Sequence, residues 1–310
     1  MTTGRIRSLL LLCCLPLLLL ACEQQRETQD LPLDAPPKGV ITIGGKDFTE
    51  QHILAKMTAI YLKENGYRVT EVDDMASAVA RAALLAGHID LYWEYTGTAL
   101  MNYQNQPAEA DPNLAYTKAS GNDREQHLIW LHKADFNDTY ALLMKQAKAR
   151  SLGLVTISDL AERVRQNTPR LIFASNAEFY AREDGIQGLQ KAYGFDFPAR
   201  NVVRMDTGLL YDALKNGAVD VSVGFATDGR IKGFNLVALK DDRSFFPAYN
   251  PAPVVRQEIL DRNPGIADLL NGITQHLDRG TIIRLNYLVD VEHQEVAEVV
   301  RNWLHEQQLL

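Results

Sequence analysis

The segment Asp90-Leu91-Tyr92-Trp93-Glu94-Tyr95-Thr96-Gly97-Thr98-Ala99-Leu100 sets three aromatic rings, two acids and two threonines around one glycine. A hydrophobic core has no use for that mixture. Ring faces can hold a cation. Hydroxyls beside a basic group can hold an anion. Those residue types therefore point to a pocket for a small zwitterion. Other chemistries lack their residues. Gly44-Gly45-Lys46 follows a strand-like run but lacks the earlier glycine and the following Ser or Thr of a phosphate loop. His127 and His132 fall on different faces of a helix, and the seven histidines show no metal spacing. There is no Gly-x-Ser-x-Gly elbow, and no acid pair stands out as a proton-transfer couple. Neither catalysis, nor a metal, nor a cofactor is expected.

The elements around these residues alternate. Val40 to Gly45 reads as a strand closed by a tight turn. Ile53, Leu54, Met57, Ile60 and Tyr61 keep helical spacing, with Thr49 placed as the cap and Gly66 as the stop. Arg68 to Asp73 reads as a second strand, and Ser77 to Ala86 as an alanine-rich helix ended by Gly87. A second set begins near Tyr140. It comprises a helix opening at Thr156, strands over 171–174, 202–205 and 219–225, and helices over 184–193 and 208–216. After Pro253 the pattern predicts an almost entirely helical chain to Leu310. Strand–helix alternation implies parallel sheets with helical crossovers. No internal repeat or low-complexity tract is evident. Ligands of open α/β sheets lie beyond the carboxyl ends of the strands, which is where the loops after Gly45, near Glu94, after Ala174 and at Phe225 fall.

The N-terminus sets the compartment. Arg5 and Arg7 precede an apolar run from Leu9 to Leu20, then Leu19-Leu20-Ala21-Cys22. That reads as a secretory signal, too short for the roughly twenty residues of a spanning helix. The ending resembles a bacterial lipobox, in which Cys22 is lipidated and becomes the first mature residue. An ordinary cleaved signal is the alternative. The three cysteines are Cys13, Cys14 and Cys22, so the mature body carries no thiol. The proline-bearing stretch to Lys38 reads as a tether. A formal net charge of −7 without a basic run argues against nucleic acid.

Four stretches then resemble one family. They are Gly44-Gly45-Lys46-Asp47-Phe48-Thr49-Glu50-Gln51, Asp90 to Thr98, Asn137-Asp138-Thr139-Tyr140-Ala141-Leu142, and Ala226-Thr227-Asp228-Gly229-Arg230-Ile231. Together they are similar to substrate-binding proteins of ABC importers for quaternary ammonium osmolytes such as glycine betaine, choline and proline betaine. The resemblance implies an α/β, two-lobed periplasmic-binding-protein fold of type II, with the ligand cleft between the lobes and a helical C-terminal tail. It implies a signal over 1–21, a tether over 22–38, one lobe from 39–138 plus 245–310, and the other from 139–244. It implies a monomer that hands its ligand to an inner-membrane ABC permease, anchored in the periplasm by lipid at Cys22.

The resemblance also assigns residues. Tyr95, Tyr140, Phe225 and Tyr249 would cage the cationic head, helped by the carbonyl of Asp138. Lys46, Thr98 and Arg182 would hold a carboxylate. Each has a plainer alternative: core packing for Tyr95, hinge packing for Tyr140, and Phe245 or Phe246 in place of Tyr249. Arg182 could pair with Glu183 or Asp184, Lys46 could extend along the rim, and Thr98 could cap a helix. Tyr92 and Trp93 read as core, and Asp228 with Arg230 as a turn and an ion pair. The family often has tyrosine where this chain has Phe225, which keeps the ring face and drops a hydroxyl. The rival readings are a receptor for an amino acid, with Glu94 and Asp138 as carboxylates near its ammonium, and a sensor without a transport role.

Overall fold

The computed structural model describes residues 36–310 apart from Thr168. The signal segment, Cys22 and nearly all of the tether lie outside them. Lys38 is already pinned, its N–H donating to the carbonyl of Gly66 at 2.9 Å. Among the described residues no helix is long and apolar enough to cross a membrane.

The strands form two five-stranded sheets. The first holds β1 (Val40–Lys46), β2 (Arg68–Met75), β3 (Leu91–Tyr95), β4 (Leu128–Trp130) and β10 (Pro251–Arg256), in the order β2-β1-β3-β10-β4. The second holds β5 (Tyr140–Lys145), β6 (Phe173–Ser175), β7 (Val202–Arg204), β8 (Val221–Phe225) and β9 (Leu236–Ala238), in the order β7-β6-β8-β5-β9. The chain crosses from the first sheet to the second between β4 and β5, and returns between β9 and β10. In each sheet three parallel strands meet one antiparallel return strand, β10 against β3 and β5 against β8.

This layout overturns the reading that the chain has no internal repeat. Ile43 pairs with Leu91 and Gly44 with Tyr92; Phe173 pairs with Val221 and Ala174 with Ser222. The second register is the first moved by 130 positions, as from Asp90 to Asp220. The same shift carries the loop bonds. Asp90 accepts from Thr42 N–H at 2.8 Å, and Asp220 from Ile172 N–H at 2.7 Å. Gly87 and Gly217 both take the left-handed conformation, at φ 75° and 73°, where a glycine is the unstrained choice. Only backbone-critical and a few core residues match, so the repeat hides in the letters.

Each lobe has its own packing. The helix Thr49–Glu64 buries Ile53, Leu54, Met57 and Ile60 against the first sheet and the C-terminal helices, the last of which (Val296–Glu306) contributes Trp303 and Leu304. The second sheet packs Leu142, Phe173, Leu189, Leu210 and Leu214. Burying each such side chain is worth roughly 1.5–3 kcal/mol. Two local expectations change. Phe48, not Thr49, occupies the cap position of the first helix, without a side-chain cap bond; Thr49 instead donates to Asp290 at 2.7 Å. And the region after Pro253 is almost entirely helical as expected, except that β10, which occupies the interior of the first sheet, runs on to Arg256. Its prolines argue against a central strand. The carbonyls of Pro251 and Pro253 accept from Ala134 and Leu131, past the end of β4. The imide nitrogens face that same side, so the ladder to β3 is untouched, and the Leu131 carbonyl that Pro253 cannot serve accepts from the Tyr116 hydroxyl at 2.8 Å instead.

Candidate functional site

Seven of the eight sequence-derived candidates line one cavity between the lobes: Lys46, Tyr95, Thr98, Asp138, Tyr140, Phe225 and Tyr249. The eighth, Arg182, lies behind it. Its guanidinium donates to Thr98 Oγ1 at 3.4 Å and to the Tyr249 hydroxyl at 3.3 Å.

The rings arrive as two equivalent pairs. Tyr95 ends β3 and Phe225 ends β8, one repeat apart. Tyr140 opens the return strand β5 opposite Phe225. Tyr249 lies just before the return strand β10, whose Pro251 is opposite Tyr95. Phe225 stacks between Tyr140 (5.3 Å, 29°) and Phe48 (5.0 Å, 22°). Tyr249 meets Tyr140 edge-on at 5.5 Å. Gly97 allows this approach, since a Cβ there would lie 2.8 Å from the Tyr249 ring. Phe245 is not a wall of the cavity, and Phe246 backs Tyr140 from behind at 6.2 Å.

Both basic groups are already paired. Lys46 is 1% exposed and donates to Glu94 at 2.6 Å; Glu94 also accepts from the Tyr92 hydroxyl and the Tyr95 N–H. Lys46 therefore does not extend along a rim. Arg182 is buried and grips Asp184 with two bonds of 2.7 and 2.5 Å, and Glu178 with a third of 2.9 Å. The expected pairing with Asp184 and the expected approach to the cavity are both present. Thr98 stands at the cap position of the turn Ala99–Tyr103 but makes no side-chain cap bond there. Tyr92 and Trp93 are wholly buried, and Arg230 binds Asp228 at 2.9 and 2.5 Å, as read from the sequence.

Asp138 lines the cavity, but its side chain turns to Thr227. Thr227 Oγ1 lies 2.5 Å from Asp138 Oδ1 and 2.6 Å from Glu50 Oε2. One hydroxyl proton serves one acceptor, so one of the two acids must carry a proton and donate to Thr227. Burial agrees. It pushes Glu50 up to about 7, against hydrogen bonds from Thr227, Tyr95 and Asn286. It raises Asp138 well above the carboxylate range, with Glu50 adding to the effect. Neither Asp138 nor Glu94 is left as a free counter-charge for an amino acid's ammonium.

A pH dependence follows. The folded chain keeps protons on Glu50 and Asp138 that the unfolded chain releases near their ordinary values. Stability is therefore highest at the acid side of the window and falls as pH rises through about 7. Carboxylates held low, such as Asp159 and Asp278, act only below about 4. The melting temperature should fall between pH 5 and pH 8. Glu50→Gln, which imitates the protonated acid, should flatten that slope; an equal slope in the variant would exclude Glu50 as its source.

Sequence reasoning missed Phe48, Ser77, Asn176, Glu178 and Thr207, all of which line the cavity. The repeat was the signal for some of them. Ser77 and Thr207 are 130 apart, at the starts of equivalent helices. Asn176 follows β6 as Lys46 closes β1. Phe48 stands in the first of the four family-like stretches, but no role was drawn for it from the sequence.

Comparison with known proteins agrees with this geometry. Residues 39–306 match the family described as the substrate binding domain of ABC-type glycine betaine transport systems. A glycine-betaine-binding protein of Pseudomonas aeruginosa is 40% identical over 87% of this chain and 88% of its own. A carnitine transport binding protein of Listeria monocytogenes is 30% identical over 88% of each. A solved structure described as a glycine betaine/carnitine/choline ABC transporter superposes with a TM-score of 0.71 at 29% identity, covering 87% of this chain and 99% of that one. The fold is thus the two-lobed periplasmic-binding-protein fold of type II, and the chain belongs to the family of substrate-binding domains of ABC-type glycine betaine transport systems.

Proposed function

We propose that this protein captures a quaternary ammonium osmolyte of the glycine betaine or choline class in an aromatic cage and delivers it to an ABC permease. The observation that carries this reading is the convergence of Tyr95, Tyr140, Phe225 and Tyr249, with Phe48, on one cavity beside Lys46 and Arg182. A trimethylammonium head has no N–H to donate, so ring faces are its natural partners. Each contributes roughly 0.5–2 kcal/mol. The basic groups suit a carboxylate. The relatives named for glycine betaine and carnitine support the same class. The cavity of about 30 Å³ holds roughly two waters, so the ligand enters by separation of the lobes, about hinges near Asp138 and before Tyr249. The lobes are 39–138 with 245–310, and 139–244. Lipidation at Cys22 would hold the protein at the periplasmic membrane surface.

Titration calorimetry with glycine betaine, proline betaine, choline, carnitine and histidine tests this. Saturable binding of at least one quaternary amine, with histidine silent, is expected. Tyr95→Ala should cost about 1–2 kcal/mol of affinity, one ring's share of the cage. An unchanged dissociation constant would remove Tyr95 from the site.

A further inference from the structure

We infer that Glu178 is a specificity-determining residue: an internal carboxylate that occupies Arg182 and that a ligand's own carboxylate must displace. This rests on the reading of the cavity as a quaternary ammonium site.

Glu178 lies in the short helix Ala177–Ala181 of the second lobe, and its side chain is 30% exposed. One carboxylate oxygen accepts from Arg182 Nη1 at 2.9 Å. The other accepts from Ser77 Oγ at 2.9 Å, on the first lobe. The side chain therefore bridges the cleft while holding the anion-binding group of the site. It is also placed at a doorway. Asp47, Asn176, Glu178 and Thr207 line both the inner cavity and a larger outer space of about 620 Å³. A ligand passing from one to the other passes two carboxylates.

The charges around Arg182 give the consequence. Asp184 takes its Nε and Nη2, which leaves Nη1 to two cavity-lining residues, Glu178 at 2.9 Å and Thr98 at 3.4 Å. A betaine carboxylate arriving there would be the third anion around one guanidinium. It must either displace Glu178 or share Nη1 with it at a repulsive distance. A ligand with a cationic head and a hydroxyl leaves Glu178 in place and is attracted by it. Glu178 thus raises affinity for choline-like cations and lowers it for betaine-like zwitterions. The native preference is set by a residue outside the ring cage.

Titration of the full chain and its Glu178→Gln variant with glycine betaine and with choline tests this. The amide keeps an acceptor for Arg182 but removes the competing charge. A hydrogen bond to a charged group is worth roughly a factor of ten or more. The ratio of betaine to choline affinity should therefore rise about tenfold, with betaine tightening and choline weakening. Glu178→Asp, which retains the charge, should keep the ratio near that of the native chain. An unchanged ratio in Glu178→Gln, or parallel loss of both ligands, would overturn the role of Glu178 and leave the site itself standing. A native chain that binds neither ligand would overturn the site reading, and this inference with it.

Discussion

Replacing Arg182 with alanine should destabilise the fold by about 3–5 kcal/mol, the cost of stranding a buried partner charge. Asp184 is the stranded group. Its side chain is 1% exposed and takes both its charge-assisted bonds from Arg182, with the Tyr249 hydroxyl as a further donor. One hydroxyl cannot replace a guanidinium. The guanidinium also lies 5.4 Å from the Tyr140 ring and 5.8 Å from that of Tyr249, so its loss loosens two walls of the cavity. At roughly 2–4 °C per kcal/mol for a chain near this size, the melting temperature should fall on the order of 10 °C. The double variant Arg182→Ala, Asp184→Asn should recover most of that loss. Thermal unfolding of the single and double variants decides it: a single variant as stable as the native chain would mean that Asp184 finds water or a proton at little cost. Binding separates the second role. With folding restored in the double variant, glycine betaine should remain much weaker than in the native chain, while choline, which has no carboxylate, should lose less.

Much of this site was legible because the residues that make it sit in short runs at strand ends. Asp90 to Thr98 announces itself by composition, and the rings at Tyr140 and Phe225 follow from matching motifs. What was not legible has physical causes. Glu178 looks like any acid on a helix; its role depends on Arg182 and on Ser77, which is 101 positions away along the chain. Glu50 reads as a helix-start carboxylate, a favourable and ordinary place for one. Only the fold brings Thr227 and Asp138 to it. The strand β10 was obscured by two prolines whose missing N–H groups happen to face the end of a short neighbour. The repeat was obscured because equivalent positions carry different volumes, as Ala80 against Leu210 and Arg81 against Tyr211, while the bonds that set the backbone stayed the same.

Lys46 shows how a site residue and a structural residue can be the same side chain. Its ammonium is buried against Glu94, with side-chain exposures of 2% and 0%. Lys46→Met should therefore cost about 3–5 kcal/mol, because Glu94 would keep only the Tyr92 hydroxyl and the Tyr95 N–H as donors. That loss by itself says nothing about ligand. The double variant Lys46→Met, Glu94→Gln separates the two roles, since the amide oxygen still accepts from Tyr95 and no charge is left unpaired. It should unfold within roughly 1–2 kcal/mol of the native chain, as neutral replacement of a buried pair generally allows. An ammonium has three donors, and Lys46 lines the cavity 5.2 Å from the Tyr95 ring centroid. If those remaining donors serve a ligand carboxylate, the stable double variant should lose glycine betaine affinity by about tenfold and choline affinity far less. Equal retention of both ligands would assign Lys46 to the balance of Glu94 alone, and would leave the carboxylate end of the site to Arg182 and Thr98.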